Sequence, residues 1–324
     1  MHTAEEIHNI VSQAITKIGW GIEPLGLYAP IDYVLALGGK KIRPALMLMS
    51  ANLFDDDIQA AINPAIGIEI FHNFTLLHDD IMDKAPLRRN KPSVHIKWDE
   101  NTAILSGDAM LIKAYQFMVD LPNDKLAEGL AIFSQTALEV CEGQQYDVDF
   151  ETRNDVSVDE YLNMIRLKTA VLLAASLQIG AIIGGANKEN AQLLYDFGIN
   201  IGLAFQLKDD LLDVYGNPSS FGKQIGGDIV SNKKTFLLIN ALNNSSAQNN
   251  EALKNWLSKE NFNPTDKIKA ITSIYNDAGV KDLCEKKMDE YFGTALICLE
   301  KVTVHPDRKK ILSLIANELM NREV

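Results

Sequence analysis

Three carboxylates interrupt an apolar run in the stretch Phe74-Thr75-Leu76-Leu77-His78-Asp79-Asp80-Ile81-Met82-Asp83. The interpretation of the whole chain begins with this stretch. A second stretch, Phe205-Gln206-Leu207-Lys208-Asp209-Asp210-Leu211-Leu212-Asp213, repeats the pattern, so D-D-x-x-D occurs twice in similar apolar surroundings. In a helix, the first and last aspartates of this pattern share one face, and the middle one lies about 100° round the axis from the first. Like charges this close repel one another, and apolar neighbours solvate them poorly. The sequence therefore predicts that cations bind at both stretches.

Magnesium is the cation that such aspartates favour. Oxygen ligands of high charge suit a hard divalent ion, and Mg²⁺ is usually held by one or two carboxylates together with substrate phosphates. A single D-D-x-x-D is also common on solvated helix faces. Two of them, each within an apolar helix, favour paired magnesium sites for a diphosphate. His72 and His78 lie nearby, but their spacing, without a Cys, forms no zinc motif.

The bulk composition excludes several classes of protein. The 324 residues carry a formal net charge of −12, which argues against nucleic acid or an anionic membrane surface as a partner. Apolar residues recur at helical spacing and strand-like alternation is nearly absent, so we expect an all-α fold of about ten helical segments. No Pro/Gly/Ser-rich linker divides the chain, and we expect residues 1–324 to form a single domain. The longest apolar stretch, residues 169–186, contains glycines and polar residues, which favours a buried core helix over a membrane span.

The cysteines and the N-terminus predict a cytoplasmic location. Cys141, Cys284 and Cys298 are widely spaced, and an odd number of cysteines without a C-x-x-C pair gives no disulfide framework. The N-terminus, Met1-His2-Thr3-Ala4-Glu5-Glu6, is acidic and includes no apolar run of the kind found in secretory signals.

Basic residues occur where an anion would bind. Gly38-Gly39-Lys40-Lys41-Ile42-Arg43-Pro44 precedes an apolar helix, and glycines, a helix N-terminus and cations together suit an anion. Arg88-Arg89-Asn90-Lys91 follows the first acidic stretch, and guanidinium groups bind phosphate oxygens in bidentate fashion. Taken singly, these segments are also explained by a solvated helix cap or by salt bridges to nearby acids. Lys168, at the start of an apolar helix, is equally explained as a snorkelling side chain.

Taken in order, these segments resemble the trans-type isoprenyl diphosphate synthases over about residues 35 to 240. The ordered motifs are G-G-K-K-I-R-P, H-N-F-T-L-L-H-D-D-I-M-D, R-R, G-Q-x-x-D, K-T, F-Q-L-K-D-D-L-L-D, G-K and G-G-D. The resemblance implies an all-α bundle of long helices around a central cavity, usually a homodimer. It also implies that the two aspartate-rich motifs face each other across the mouth of that cavity.

The resemblance assigns a role to individual residues. Three Mg²⁺ ions bridging an allylic diphosphate would be bound by Asp79, Asp80, Asp83, Asp209 and Asp213. The allylic diphosphate itself would be held by Arg88, Lys168, Thr169, Gln206, Lys223 and Lys233. Isopentenyl diphosphate would be bound, without metal, by Lys40, Arg43, His72 and Arg89. The residues expected to act in catalysis are Asp79, Asp80, Asp83, Arg88, Lys168, Asp209 and Lys223.

The chain departs slightly from the family pattern. Lys41 stands where Arg is frequent, and Asn90 follows the arginine pair where Gly is usual, although neither position supplies an expected ligand. Arg322 belongs to a C-terminal tail that only loosely resembles the basic tails that close over the isopentenyl site.

The reaction implied is the condensation of isopentenyl diphosphate with dimethylallyl, geranyl or farnesyl diphosphate. Metal and guanidinium groups stabilise the departing diphosphate, and the isopentenyl double bond attacks the allylic cation. Phe74 lies about 7.5 Å below Asp79 along the helix, and an aromatic floor there, beside the small Thr75, resembles short-chain synthases. We therefore expect a farnesyl (C15) or geranylgeranyl (C20) product. Alternatively, Phe74 packs in the core and another residue forms the floor.

Two other functions compete with this one. A class I terpene cyclase also uses D-D-x-x-D, but its second metal motif normally mixes Asn/Asp, Ser/Thr and Glu, and it has no use for G-G-K-K-I-R-P. A silent subunit of a heteromeric prenyl synthase would be expected to lose aspartates from one motif, whereas both motifs are intact here. Activity of the purified chain with isopentenyl diphosphate separates the three.

Overall fold

The computed structural model describes residues 1–216 and 225–321. These residues form helices joined by short loops, with one two-stranded ladder, so the all-α prediction is confirmed. The chain divides into two compact units, each assembled from separate segments. The first unit comprises Met1–Ser134, Ala175–Leu194 and Thr303–Leu312. The second comprises the described parts of Gln135–Ala174, Tyr195–Val302 and Ser313–Val324. The single domain over residues 1–324 stays a prediction.

The first unit is built around one long helix. Its elements are α1 (Ala4–Thr16), α2 (Leu25–Ala36), α3 (Ile42–Asn52), α4 (Gln59–Met82), β1 (Leu87–Arg88), β2 (Lys91–Pro92), α5 (Val94–Lys97) and α6 (Glu100–Met118). Helix α4 packs against α1, α2, α3, α5 and α6. Glycines let α6 come close to α4: a Cβ atom on Gly67 would lie 2.9 Å from Ala114 O, and one on Gly107 would lie 2.1 Å from His78 Nε2. The second of these contacts lies beside the carboxylates at the C-terminal end of α4.

Four further helices contribute residues to both units. They are α7 (Leu126–Thr152), α9 (Val171–Ile183), α10 (Lys188–Tyr215) and α16 (Pro306–Asn321). Within the first unit, α9 crosses α3 closely, because a Cβ atom on Gly180 would lie 2.2 Å from Met47 O. Ser50 Oγ also donates a hydrogen bond to Leu177 O at 2.5 Å.

The second unit surrounds the C-terminal half of α10. Its other elements are α8 (Val158–Ile165), a π-helical turn (Arg166–Ala170), α11 (Gly227–Val230), α12 (Phe236–Asn244), α13 (Ala247–Ser258), α14 (Pro264–Asp277) and α15 (Val280–Lys301). A core of buried apolar side chains includes Leu207, Leu211 and Phe236. Helix α10 approaches the π-helical turn at Gly202, where a Cβ atom would lie 2.6 Å from Ala170 Cα. The described residues hold more helices than expected, because single turns such as α5 and α11 also form.

One helical stretch of the described residues, Val158–Ile183, is long and apolar enough to cross a membrane. Most of it is buried inside the structure, with 78% of the apolar window enclosed. The core helices of soluble proteins have the same composition, and this burial agrees with the core helix expected at residues 169–186.

Candidate active site

Three carboxylates lie at the C-terminal end of α4, and they divide between two environments. Asp79 and Asp83 share one face, the first partly buried and the second exposed. Asp80 is 4% exposed and pairs with Arg88, whose Nε and Nη2 lie 3.0 and 2.5 Å from Asp80 Oδ1. A forked guanidinium pair of this kind offsets the cost of burying a carboxylate. Asp80 therefore positions Arg88, while Asp79 and Asp83 present the oxygen ligands that suit Mg²⁺.

A tight hairpin loop places the second arginine. Arg89 and Asn90 join β1 to β2 with φ angles of 52° and 61°, both in the left-handed region that two-residue hairpins require. Asparagine tolerates this region better than most residues, which explains how Asn90 replaces the usual glycine. The Arg89 guanidinium lies over Gly39, where a Cβ atom would be 2.6 Å from Nη2. The absence of a side chain at Gly39 thus leaves room for the guanidinium. Lys40, the next residue in the chain, is exposed.

Arg43 and His72 are the more buried members of the basic group predicted to bind isopentenyl diphosphate, which also includes Lys40 and Arg89. Arg43 Nη1 lies 3.2 Å from His72 Nε2. Burial lowers the pKa of His72 well below its usual value, and the charges of Arg43 and Arg89 lower it further. The imidazole is therefore neutral, and its Nε2 accepts the hydrogen bond from Arg43. Burial lowers the pKa of Arg43 to about 10, so the guanidinium remains a cation at neutral pH.

Two residues that sequence reasoning does not assign also belong to this group. Glu69 is 4% exposed, and its Oε1 accepts a hydrogen bond from Asn73 Nδ2 at 3.0 Å. Burial raises the pKa of Glu69, and the Asn73 hydrogen bond and the charge of Arg43 oppose that rise. The available signal was a carboxylate three residues before His72 in an apolar helix, since a buried carboxylate needs polar partners.

The residues expected to set product length lie one turn before the aspartates on α4. Phe74 is 8% exposed, and its ring centroid lies 5.5 Å from that of Phe71 and 4.8 Å from that of His78. Phe71 in turn contacts Phe133 of α7 at 5.4 Å, so a buried aromatic cluster lies below the carboxylates. The Thr75 hydroxyl donates a hydrogen bond to a backbone carbonyl of α4. This cluster fits both roles considered for Phe74, a cavity floor and a core side chain.

The second unit carries matching carboxylates near the end of α10. Asp210 is 4% exposed and accepts a hydrogen bond from the Tyr161 hydroxyl. Burial, reinforced by the charge of Asp228, raises the pKa of Asp210 to about 7. Asp213 Oδ2 accepts a hydrogen bond from the backbone N–H of Asp228 at 3.0 Å, which fixes the first turn of α11. Asp209 shares a helix face with Asp213, so these two offer oxygen ligands for Mg²⁺.

Two lysines of the predicted allylic site share one carboxylate partner, Asp147 of the G-Q-x-x-D motif. Lys168 Nζ lies 2.6 Å from Asp147 Oδ2, and Lys233 Nζ lies 3.9 Å from the same oxygen. Lys168 belongs to the π-helical turn, a rare geometry that is frequent at functional sites. Gly143 admits this turn, because a Cβ atom there would lie 2.3 Å from the backbone nitrogen of Lys168. Burial would raise the pKa of Asp147, but Lys233 and Lys168 outweigh it, so the pKa is lowered and Asp147 stays ionised.

The remaining predicted residues extend this arrangement. Thr169 Oγ1 donates a hydrogen bond to Gln206 Oε1 at 3.3 Å, and Gln206 Nε2 lies 3.5 Å from Asp210 Oδ1. Lys223 and Arg322 lie outside the described residues. The structure thus groups the isopentenyl-site residues and the first aspartates within one unit. It groups Lys168, Thr169, Gln206, Lys233 and the second aspartates within the other.

The donor set fits Mg²⁺ bound together with a phosphate. Within residues 1–216 and 225–321, no cluster of three or more His, Cys, Asp or Glu side chains is compact enough to hold a metal ion unaided. Mg²⁺ typically needs only one or two carboxylates when a phosphate and waters complete its shell. The Asp79/Asp83 and Asp209/Asp213 pairs each meet that requirement.

Comparison with known proteins agrees with this chemistry. The family model described as "Polyprenyl synthetase" matches residues 25–275. A geranylgeranyl diphosphate synthase of Methanosarcina mazei is 40% identical over 246 residues, which cover 74% of this chain and 76% of that protein. A geranylfarnesyl diphosphate synthase of Natronomonas pharaonis is 40% identical over 254 residues, 73% of this chain and 74% of that protein. A crystal structure of a geranylgeranyl pyrophosphate synthase has a TM-score of 0.94 at 47% identity and covers 100% of both chains.

These matches extend over most of the chain and include the segments that carry the ordered motifs. The resemblance drawn from those motifs is confirmed, and so is the prediction of a prenyltransferase. The chain belongs to the polyprenyl synthetase family.

Proposed function

We propose that this chain condenses isopentenyl diphosphate with dimethylallyl, geranyl or farnesyl diphosphate to give a C15–C20 product, with geranylgeranyl diphosphate as the main one. One observation carries the proposal. In each unit, an aspartate pair on a helix face accompanies a cation that another carboxylate holds in place: the buried Asp80 holds Arg88, and the half-buried Asp147 holds Lys168. Paired carboxylates and fixed cations are what a metal-bound diphosphate requires. The name of the M. mazei relative supports the C20 product.

Magnesium is the cofactor that these residues fit. On α4 it would be held by Asp79 and Asp83, and Asp80 would join them only on releasing Arg88. On α10 it would be held by Asp209 and Asp213, and three ions in all are expected from the resemblance. When bound, Mg²⁺ neutralises the negative charge that develops on the diphosphate as its C–O bond breaks.

The chain's own cations complete the stabilisation of that leaving group. We assign the allylic diphosphate to Arg88, Lys168, Thr169, Gln206, Lys223 and Lys233. Breaking the C–O bond leaves an allylic cation and free diphosphate, so donors already fixed around the diphosphate lower the barrier. Asp147 supports this role, because it holds the Lys168 ammonium group before substrate arrives.

The second substrate meets cations without metal. We assign the isopentenyl diphosphate to Lys40, Arg43, His72 and Arg89. The neutral His72 accepts a hydrogen bond from Arg43 and so orients its guanidinium. The isopentenyl double bond attacks the allylic cation, a new C–C bond forms, and the proton lost from the adjacent carbon passes to the released diphosphate.

Product length and quaternary structure follow from two apolar features. We propose that Phe74, backed by Phe71 and Phe133, forms the floor that stops elongation at C20. We also propose a homodimer through α6, because its exposed apolar side chains recur along one face: Ile104 is 43%, Leu105 59%, Ile112 60% and the following Val119 51% exposed. Large apolar side chains exposed at this spacing are typical of an interface. Ile112→Glu should therefore yield monomers by sedimentation, whereas a dimeric variant would exclude this face.

A cytoplasmic location completes the proposal. All three cysteines are free thiols, as a reducing compartment would maintain them. Expression with a fluorescent tag, followed by fractionation, tests the location.

The decisive experiment supplies the purified chain with Mg²⁺, isopentenyl diphosphate and each allylic starter in turn, and identifies the dephosphorylated alcohols. We expect a C20 alcohol that disappears with EDTA and with Asp79→Asn. Asp32→Asn, an exposed aspartate of α2, is the matched control and should leave turnover unchanged. Consumption of an allylic diphosphate without isopentenyl diphosphate would indicate a cyclase. Absence of any turnover would indicate a silent subunit.

A further inference from the structure

A buried lysine holds the segment that leads into Lys233. Lys267 of α14 is 0% exposed, although lysine is almost never fully buried unless its ammonium group is paired. Its Nζ donates hydrogen bonds to Val230 O at 3.1 Å and to Asn232 Oδ1 at 2.6 Å. Both acceptors are neutral oxygens of the turn that ends α11. The Lys267 ammonium group therefore binds one short turn instead of forming a surface ion pair.

Asn232 links that turn to two helices. Its backbone has a φ of 59°, in the left-handed region, and its Oδ1 accepts from Lys267. Its Nδ2 donates to Leu257 O at the end of α13 at 3.0 Å. A left-handed asparagine is tolerated but less favourable than a right-handed one, so contacts from outside the turn are needed to hold it. The Lys267 ammonium group supplies one of these contacts.

The packing around this turn leaves it little freedom. A Cβ atom on Gly226, just before α11, would lie 2.7 Å from Ile268 Cδ1, so α14 closely covers the start of the segment. The Lys267 ammonium group also lies 4.1 Å from the Phe262 ring centroid. The backbone nitrogen of Lys233, the first residue after the turn, donates to Asp228 O at 2.9 Å. The position of Lys233 is therefore set by how this turn is held.

We propose that Lys267 is a positioning residue that acts through Lys233. By fixing residues 230–232, it keeps the Lys233 ammonium group near Asp147, where the proposed function places the allylic diphosphate. The inference rests on that assignment of Lys233. Lys267 is fully buried and so cannot contact a substrate itself. Its effect should therefore reach only the diphosphate that Lys233 binds. Isopentenyl diphosphate binding should not change.

The test compares Lys267→Met with Lys269→Met. Methionine keeps the apolar stem of Lys267 but donates no hydrogen bond, and Lys269 is an exposed lysine of the same helix. We would measure the Kd of inorganic diphosphate with Mg²⁺ by calorimetry, together with kcat and KM for both substrates. Lys267→Met should raise the diphosphate Kd and the allylic KM about fivefold to tenfold. The KM for isopentenyl diphosphate should stay within about twofold, and Lys269→Met should match the wild type.

A double-mutant cycle separates positioning from a general loss of stability. In a Lys233→Ala background, Lys267→Met should change the diphosphate Kd by less than about twofold, because its route of action is already gone. Asn232→Gly, which keeps the left-handed backbone but removes the acceptor, should raise the Kd in the same direction. It replaces Lys267→Met in the cycle if that variant does not fold.

Two results would overturn the proposal. One is a Lys267→Met protein that melts at a lower temperature but binds diphosphate like the wild type. The other is a double variant in which the increases in Kd caused by Lys267→Met and Lys233→Ala multiply, as they would for independent residues. Wild-type protein that binds diphosphate without condensing any substrate would refute the proposed function instead. The Kd cycle would still decide the role of Lys267.

Discussion

The close contact between Gly39 and Arg89 gives a prediction that isolates one substrate. In Gly39→Ala, the new Cβ atom would lie 2.6 Å from Arg89 Nη2, 2.8 Å from Cζ and 3.1 Å from Nη1. Ordinary contact begins near 3.4 Å, so the guanidinium must retreat by about 0.8 Å. The side chain can do this at little cost in stability because its far end is flexible. The consequence falls on the position of the guanidinium.

That displacement is large compared with the tolerance of a hydrogen bond. An N–H···O contact near 2.8 Å that lengthens by about 0.8 Å is no longer a hydrogen bond. Hydrogen bonds to charged groups contribute about 1.5–3 kcal/mol, so we expect the KM for isopentenyl diphosphate to rise about 10- to 150-fold. The KM for the allylic substrate should stay within about twofold, since Arg89 is assigned to the other diphosphate. Steady-state kinetics with each substrate varied in turn measures both values.

Gly38→Ala is the matched control. Gly38 has a φ of 81° and Gly39 a φ of 135°, so alanine at either position adds backbone strain of about 1–3 kcal/mol. A Cβ atom on Gly38 meets nothing within 4 Å, so that variant carries the strain without the contact. An equal rise in KM in Gly38→Ala would refute the reasoning, because strain alone would then explain it. So would a further rise on adding Gly39→Ala to Arg89→Ala.

Three other variants test separate parts of the site. The pKa of His72 is depressed in the folded protein, so on acidification a proton binds this residue in the unfolded chain first. Wild-type stability should therefore fall as the pH drops below 6.5, by about 1–2 kcal/mol near pH 5. His72→Gln should remove this loss. The measurement is the free energy of unfolding from denaturant titrations at several pH values. The same pH dependence in both proteins would contradict the prediction. Phe74→Ala should lengthen the product, measured by chromatography of the alcohols, and an unchanged length would remove Phe74 from the floor. Gly143→Ala should lower the free energy of unfolding by about 1–3 kcal/mol, because its Cβ meets the backbone of Lys168 rather than a flexible side chain. A denaturant midpoint equal to the wild type would show that α7 and the π-helical turn can separate.

The sequence predicts the family and the helices well, because both depend on patterns of many residues. The order of the motifs identifies the chain, and helical spacing of apolar residues identifies an all-α protein. Contacts made by single residues were less accessible. Arg89-Asn90 has no Asn-Gly signal, yet it adopts the left-handed pair of a tight hairpin. The π-helical turn at Lys168 depends on the absence of a side chain at Gly143, which lies 25 positions earlier in the chain and on another helix.

The two D-D-x-x-D motifs show where pattern and structure meet. The resemblance assigns all three aspartates of the first motif to metal, but only Asp209 and Asp213 of the second, and a helix with one buried face cannot present three aspartates equally. The middle aspartate lies about 100° from the first, which turns it toward the packed side. Asp80 and Asp210 are each 4% exposed, and each accepts a hydrogen bond from a protein side chain, Arg88 in one case and Tyr161 in the other. The same local geometry therefore yields the same division of labour in both units. The middle aspartate of each motif pairs with a neighbouring side chain, and we propose that the outer ones bind the metal ion.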